Sequence, residues 1–125
     1  MADFSFKQGE DKKVSIGIVK NGVAVDLTTA INIKAILKVN SAEQKKYALT
    51  AETGFGTLEV DGTITNQVNI FVQREETKGF PVGNITVILL ISFVDTDFTD
   101  GERVEELKFN VGRVSLGEGI DETMP

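Results

Sequence analysis

The sequence contains no cysteine, no histidine and no tryptophan, and only two prolines and one tyrosine among its 125 residues. Without cysteine the chain can form no disulfide framework, and without cysteine and histidine it has neither thiolate nor imidazole ligands for a metal ion. The same absences exclude the Ser-His and Cys-His nucleophile pairs of the common hydrolases. We therefore expect a protein without catalytic residues, without cofactors and without enzymatic activity.

The charge balance also narrows the function. The chain has 13 Lys and Arg against 19 Asp and Glu, a net charge of −6, so we do not expect it to bind nucleic acid. Its length and its 41% hydrophobic and 26% charged residues are those of an ordinary single domain. We predict one domain over residues 1–125, with residues 1–6 and 115–125 flexible or bound by a partner.

No stretch of the sequence has the character of a targeting or membrane segment. The N-terminus lacks the basic and apolar regions of a secretory signal peptide. The longest apolar run, Ile85–Val94, has ten residues, about half of what a membrane helix needs. We therefore expect synthesis in a cytoplasm and no membrane insertion, and we interpret Ile85–Val94 as a buried strand because it is rich in β-branched residues.

Apolar residues alternate along most of the chain, which is the pattern of β-strands. The pair Asn21-Gly22 between apolar runs predicts a hairpin, with a returning strand over 23–27. We expect a loop or one helical turn at 40–46 and a charged loop at 74–78. Further strands are predicted at 14–20, 31–39, 47–50, 57–60, 68–73, 85–94 and 104–114, and the residues that share one face of the second are Ile31, Ile33, Ala35, Leu37 and Val39. Seven to nine short strands are typical of an all-β antiparallel sandwich or barrel.

One acidic segment has the composition of a calcium site. Asp95, Asp97, Asp100 and Glu102 lie within eight residues and supply the oxygen ligands that Ca²⁺ prefers. However, the spacing departs from that of an EF-hand loop, because Gly101 follows one position late. The alternative interpretation is a hairpin loop in which the Asp and Gly residues form the turn.

The strand at 85–94 is apolar on both faces, although one face of a sandwich strand should contact water. Either a loop or helical turn of the same chain covers the second face, or another subunit does. If a partner covers it, Ile88, Leu90 and Val94 form a contact surface, and Phe4 and Phe6 form a second one. All five residues are equally compatible with a place in the core.

Two segments of the sequence carry a family resemblance. The first, Lys7–Ala35, contains Asn21-Gly-Val-Ala-Val-Asp-Leu-Thr28 after a strand, and the second begins with Gly79-Phe-Pro-Val-Gly83 and continues through Asp100-Gly-Glu102 to Phe109-Asn-Val111. Together they resemble the immunoglobulin-like N-terminal module of upper baseplate proteins from tailed phages of Gram-positive bacteria. Related sandwiches occur in other phage tail and capsid proteins.

The resemblance implies an immunoglobulin-like β-sandwich that serves as a non-enzymatic structural component of a virion. Its partners would be other virion proteins, it would be a homo-oligomer in the assembled particle, and it would dock on a baseplate or tail. Upper baseplate proteins continue past this module into a helical linker, whereas this sequence ends at Pro125, which leaves room for a small stand-alone virion protein. The alternatives are a capsid decoration protein and a calcium-dependent, glycan-binding, adhesin-like module.

Overall fold

The computed structural model describes residues 5–117, and almost all of its regular structure is β-strand, which confirms the all-β prediction. A 3-10 turn at Leu27–Thr29 and a one-turn helix, α1, at Arg74–Thr77 are the helices of this range. Neither has the length and apolar character needed to cross a membrane. The ten strands found among residues 5–117 are β1 (Phe6–Lys7), β2 (Lys12–Gly17), β3 (Val19–Lys20), β4 (Val23–Ala24), β5 (Ala30–Val39), β6 (Ala42–Ala48), β7 (Gly56–Val60), β8 (Gln67–Val72), β9 (Gly83–Val94) and β10 (Glu102–Ser115).

Eight of these strands form two layers that face each other. The first layer has the order β1-β10-β9-β5-β6 and the second has the order β7-β8-β2. A short parallel pairing of β6 with β7 joins the layers at one margin, and β1 also runs parallel to β10. The other pairs are antiparallel, so the sheet is mixed rather than purely antiparallel. The order matches that of immunoglobulin domains, with β2, β8 and β7 as strands B, E and D and β5, β9 and β10 as C, F and G.

The hydrophobic core lies between the two layers and takes alternate residues from their strands. The inward residues of β9 from Ile85 to Ile91 are at most 1% exposed, and those of β5 are fully buried from Ile33 onward. The inward residues of β2 and β8 complete the core from the other side. The main contributors are Val14, Ile16, Ile33, Leu37, Leu58, Val68, Ile70, Ile85, Val87, Leu89 and Ile91.

The hairpin predicted from the Asn21-Gly22 pair is present as β3 and β4. Asn21 has φ = 53° and Gly22 has φ = 77°, the left-handed conformations that a two-residue hairpin turn of this type requires. The returning strand ends at Ala24 instead of continuing to residue 27, because Leu27 begins the 3-10 turn. Asp26 caps that turn by accepting a hydrogen bond from the Thr28 amide at 3.0 Å.

Strand β5 differs from its predicted pattern at one end. Ile31 was expected to share the buried face of Ile33 and Leu37, but 42% of its surface is exposed. The pairing of β5 with β9 shifts register between Ala30 and Asn32, which is the signature of a β-bulge. The extra residue at the bulge turns Ile31 out of phase with the rest of the strand.

Both segments predicted as loops carry regular structure instead. Residues 42–48 form β6, which begins after a tight turn at Asn40 and Ser41, both with positive φ. Residues 74–77 form α1, whose Glu76 accepts a hydrogen bond from the Tyr47 hydroxyl at 3.0 Å. Desolvation by burial, followed by the nearby Glu76 charge, raises the pKa of Tyr47 above its ordinary value. This contact joins α1 to the first layer.

Candidate docking surfaces

Ile88 and Leu90 lie on the face of the first layer that points away from the core. In the register of the sheet, Ile88 is opposite Ile36 of β5, and both are half-buried, as is Leu90. We call Ile36, Ile88 and Leu90 the apolar strip. On the other side of β9, Lys108 is opposite Ile88 and Glu106 is opposite Leu90. The three side chains therefore form an apolar centre within a polar sheet face.

Lysine side chains surround the apolar strip. Lys46 is opposite Ile36, Lys34 is opposite Leu90, and Lys38 follows Ile36 by two residues on the same side of β5. Long lysine side chains cover apolar neighbours with their methylene groups while their ammonium groups stay in water. The strip is thus partly covered by its own sheet neighbours, and it keeps apolar surface that solvent reaches.

Two of these lysines are held by an aromatic ring. The ammonium groups of Lys34 and Lys46 lie 5.4 and 5.8 Å from the centre of the Phe55 ring, within the range of cation–π attraction. Lys34 also forms an ion pair with Glu52 at 3.2 Å. These contacts fix the positive rim on the β6 side of the strip.

Val94 extends the exposed apolar surface toward the end of β9. It is 70% exposed, and Val104, which is opposite Ser92 on the adjacent strand, is 59% exposed. Because residues separated by two positions on a strand share a face, Val94 lies on the same side as Leu90. The predicted contact residues Ile88, Leu90 and Val94 therefore follow one another along a single sheet face.

The second predicted surface, formed by Phe4 and Phe6, is corrected by the structure. Phe6 is only 4% exposed, lies in β1 opposite Val114, and packs its ring 6.4 Å from that of Phe80. It is a core residue because β1 adds it to the edge of the first layer. Phe4 lies outside the described residues. Phe6 and Ser115, predicted within flexible or partner-bound termini, are both strand residues.

The acidic segment forms the turn between β9 and β10. Asp95 accepts a hydrogen bond from the Asp97 amide at 3.0 Å with one carboxylate oxygen, and from the Arg103 guanidinium at 2.9 Å with the other. Asp100 accepts one from the Glu102 amide at 3.1 Å. Within residues 5–117, no group of three or more acidic side chains is placed to hold a metal ion. The structure therefore places Asp95 and Asp100 in roles that form the turn, and it does not gather the four predicted calcium ligands into a site.

A charged cluster that the sequence analysis did not identify lies on the inner side of β10. Arg103 contacts Asp95, donates to Glu105 at 2.8 Å, and stacks 5.1 Å from the Phe93 ring centre. Its hydrogen bond to Asp95 raises the pKa of Arg103 above its ordinary value. Lys20 of the hairpin reaches Glu105 at 3.3 Å. The signal in the sequence was the spacing of residues 103 and 105, which places both side chains on one face of a strand.

Beside this cluster, a cleft of about 480 Å³ opens between the β3–β4 hairpin and the inner side of β10. Its apolar walls are Ile18, Val19, Val25, Ile91, Phe93 and Leu107. The cleft has apolar walls and ion-paired charges at its mouth, which is the composition of a contact surface. Comparison with protein-family models, with curated proteins and with solved structures finds no match for this chain.

Proposed function

We propose that this protein is a non-enzymatic structural component of a tailed-phage virion, which docks on a baseplate or tail through protein–protein contacts. The observation that carries the proposal is the outer face of the first layer, where the apolar strip and Val94 expose apolar surface to solvent. The segments that carry the resemblance to baseplate modules support it. The first covers β2 to the middle of β5, and the second covers the β9–β10 hairpin.

The chemistry of this face suggests what kind of partner surface would fit it. Protein interfaces combine an apolar centre with a polar rim, and here the rim is mainly lysine. Lys38 and Lys46 would pair with carboxylates of the partner, while the apolar strip packs on apolar side chains of the partner. In a particle that repeats one contact many times, individually weak contacts of this kind add up to stable attachment.

Immunogold electron microscopy of phage particles, with an antibody against this chain, tests the proposal directly. Label at the tail or its tip is the expected result. Label spread over the head would overturn the tail location and support the capsid decoration alternative. Particles without label would overturn the virion role.

A pair of variants tests the surface itself. We expect Leu90→Glu to fold, because Leu90 is on the half-buried outer face, but to be lost from purified particles. Thr57→Glu is the matched control, since it adds the same charge to an exposed position on the second layer. Circular dichroism establishes folding, and immunoblots of particles measure incorporation. Normal incorporation of folded Leu90→Glu would exclude the apolar strip as the docking surface.

A further inference from the structure

Among residues 5–117, one edge of the first layer has no strand partner over most of its length. β10 pairs with β9 on one side, from Glu102 to Val114. On its other side, β1 pairs only with Val114 and Ser115, and the Ser5 hydroxyl accepts a hydrogen bond from the Arg113 amide. Within the described residues, the edge from Arg103 to Gly112 receives no further backbone hydrogen bond. A long unpaired edge is a template for another strand.

The side chains along this edge are complementary to a second copy of themselves. Glu106 and Lys108 are exposed on the outer face, and Leu107 lies between them on the inner face. If two copies of β10 pair antiparallel about a two-fold axis at Leu107, each Glu106 lies opposite Lys108 of the other copy. Directly opposite residues have Cβ atoms about 5 Å apart, within reach of ion pairing, and the two Leu107 side chains meet at the centre.

Other registers are less favourable. Directly opposite residues in an antiparallel pair point to the same side of the sheet. In two copies of one strand this requires the two-fold axis to lie between a residue and the same residue of the other copy. An axis at Glu105, Glu106 or Lys108 would place that charge opposite its own copy, and like charges in this position are destabilising. An axis at Val104 would place Glu102 opposite Glu106.

An axis at Phe109 meets a different obstacle. It would centre the pairing close to the β-bulge between Asn110 and Gly112, where the side chains of β10 change sides, and it would run toward Arg113, whose amide is already bound by Ser5. In the register centred on Leu107, Arg103 of one copy lies opposite Val111 of the other. The new pairing therefore ends before Val114 and leaves the pairing of β1 with β10 intact.

We propose that two copies of this chain associate edge to edge through β10, antiparallel and centred on Leu107. The first layers of the two copies then form one continuous sheet, with both apolar strips on the same side. Leu107 lines the cleft behind β10, so its counterpart covers the open side of that apolar surface. This association is independent of the proposed role in a virion, because it requires only the chain itself.

Charge exchange tests the register. The Glu106→Lys variant places two lysines opposite each other in both Glu106–Lys108 contacts of the dimer. The Lys108→Glu variant places two glutamates opposite each other in the same two contacts. We expect sedimentation equilibrium to show a wild-type dimer, and association about tenfold weaker or more for each single variant. A mixture of the two single variants should form a heterodimer, and Glu106→Lys combined with Lys108→Glu should restore the homodimer. Glu59→Lys, which makes the same charge change on an exposed position of β7, is the control and should leave association unchanged.

Two results would overturn the proposal. One is a wild-type chain that remains monomeric at millimolar concentration. The other is a dimer that persists in both single variants, because it would have to use another surface. Circular dichroism of each variant separates loss of association from loss of folding. Since these measurements use the purified chain, their outcome is distinct from that of the particle labelling.

Discussion

The outward faces of the two layers are built in opposite ways. On the second layer, Asn69 points away from the core yet is only 3% exposed, because it accepts hydrogen bonds from Ser15 at 2.8 Å and Gln67 at 2.9 Å and donates one to Asp61 at 3.1 Å. On the first layer, Ile88 and Leu90 occupy the corresponding outward positions and stay half-exposed.

This difference distinguishes outward polar groups whose hydrogen bonds are already satisfied from outward apolar side chains that keep surface exposed to water. Polar groups that satisfy one another's hydrogen bonds need no partner beyond water. Half-exposed apolar side chains gain free energy when a partner removes them from water, at about 25 cal/mol per Å². The surroundings of Asn69 on the second layer thus need only solvent, whereas contact of the apolar strip with another molecule would be stabilising.

The largest effect is expected from the two leucines that are adjacent in β9. Leu89 is fully buried, so Leu89→Ala should reduce the free energy of unfolding by about 2–5 kcal/mol through lost burial and the cavity it leaves. Leu90→Ala removes the same atoms from the outer face and should cost about 1 kcal/mol or less. Urea denaturation of both variants measures the difference. Equal losses would mean that the apolar strip is part of the core.

An intermediate effect is expected from the polar network of the second layer. Asn69→Ala leaves the Ser15 hydroxyl and the Gln67 amide without their acceptor, so we expect a loss of about 1–3 kcal/mol. The control is Asn110→Ala on the exposed outer face of the first layer, which should change stability by about 0.5 kcal/mol or less. Thermal unfolding of both variants makes the comparison. If Asn69→Ala were as harmless as its control, the second layer would not depend on this network.

The smallest effect concerns the pH dependence of the same network. Hydrogen bonds from the Ile64 and Thr63 amides, and then from Asn69, lower the pKa of Asp61 to about 2. Because the pKa is lower in the folded protein, the ionised carboxylate stabilises the fold above about pH 4, and this contribution is lost as the pH falls toward 2. Melting temperatures between pH 2 and 7 should fall less steeply for Asp61→Asn than for the wild type. Identical slopes would show that Asp61 titrates alike in both states.

The strands could be predicted from the sequence wherever one face is buried. The alternation in Val14–Ile18, Val68–Val72 and Ile85–Ile91 reflects such burial, and the Asn21-Gly22 pair encodes its own turn. Strand β6, Ala42–Ala48, was predicted only at its end, by the strand at 47–50. Residues 42–46 were missed because they are mostly polar and partly or fully exposed. Their pairing with β5, rather than any local pattern, makes them part of a strand.

The candidate surfaces were only partly visible in the sequence. The alternation along β9 correctly placed Ile88 and Leu90 on the face of the sheet that Leu89 does not share, and Val94 lies on that same outer face. Phe6 was misplaced because a short terminal strand gives no periodic signal, and only its pairing with Val114 shows that it is buried. The unpaired edge of β10 depends on which strands are neighbours, and a single sequence does not specify neighbours.

The burial of Tyr47 has a spectroscopic consequence. It is the only tyrosine, and the sequence has no tryptophan, so near-ultraviolet tyrosine signals come from this one ring. The ring is fully buried, and a Cβ atom at Gly56 would lie 2.6 Å from it, so the joint between β6 and β7 is close-packed there. Tyrosinate absorbance in alkali therefore reports the opening of the joint between the two layers, with no label attached.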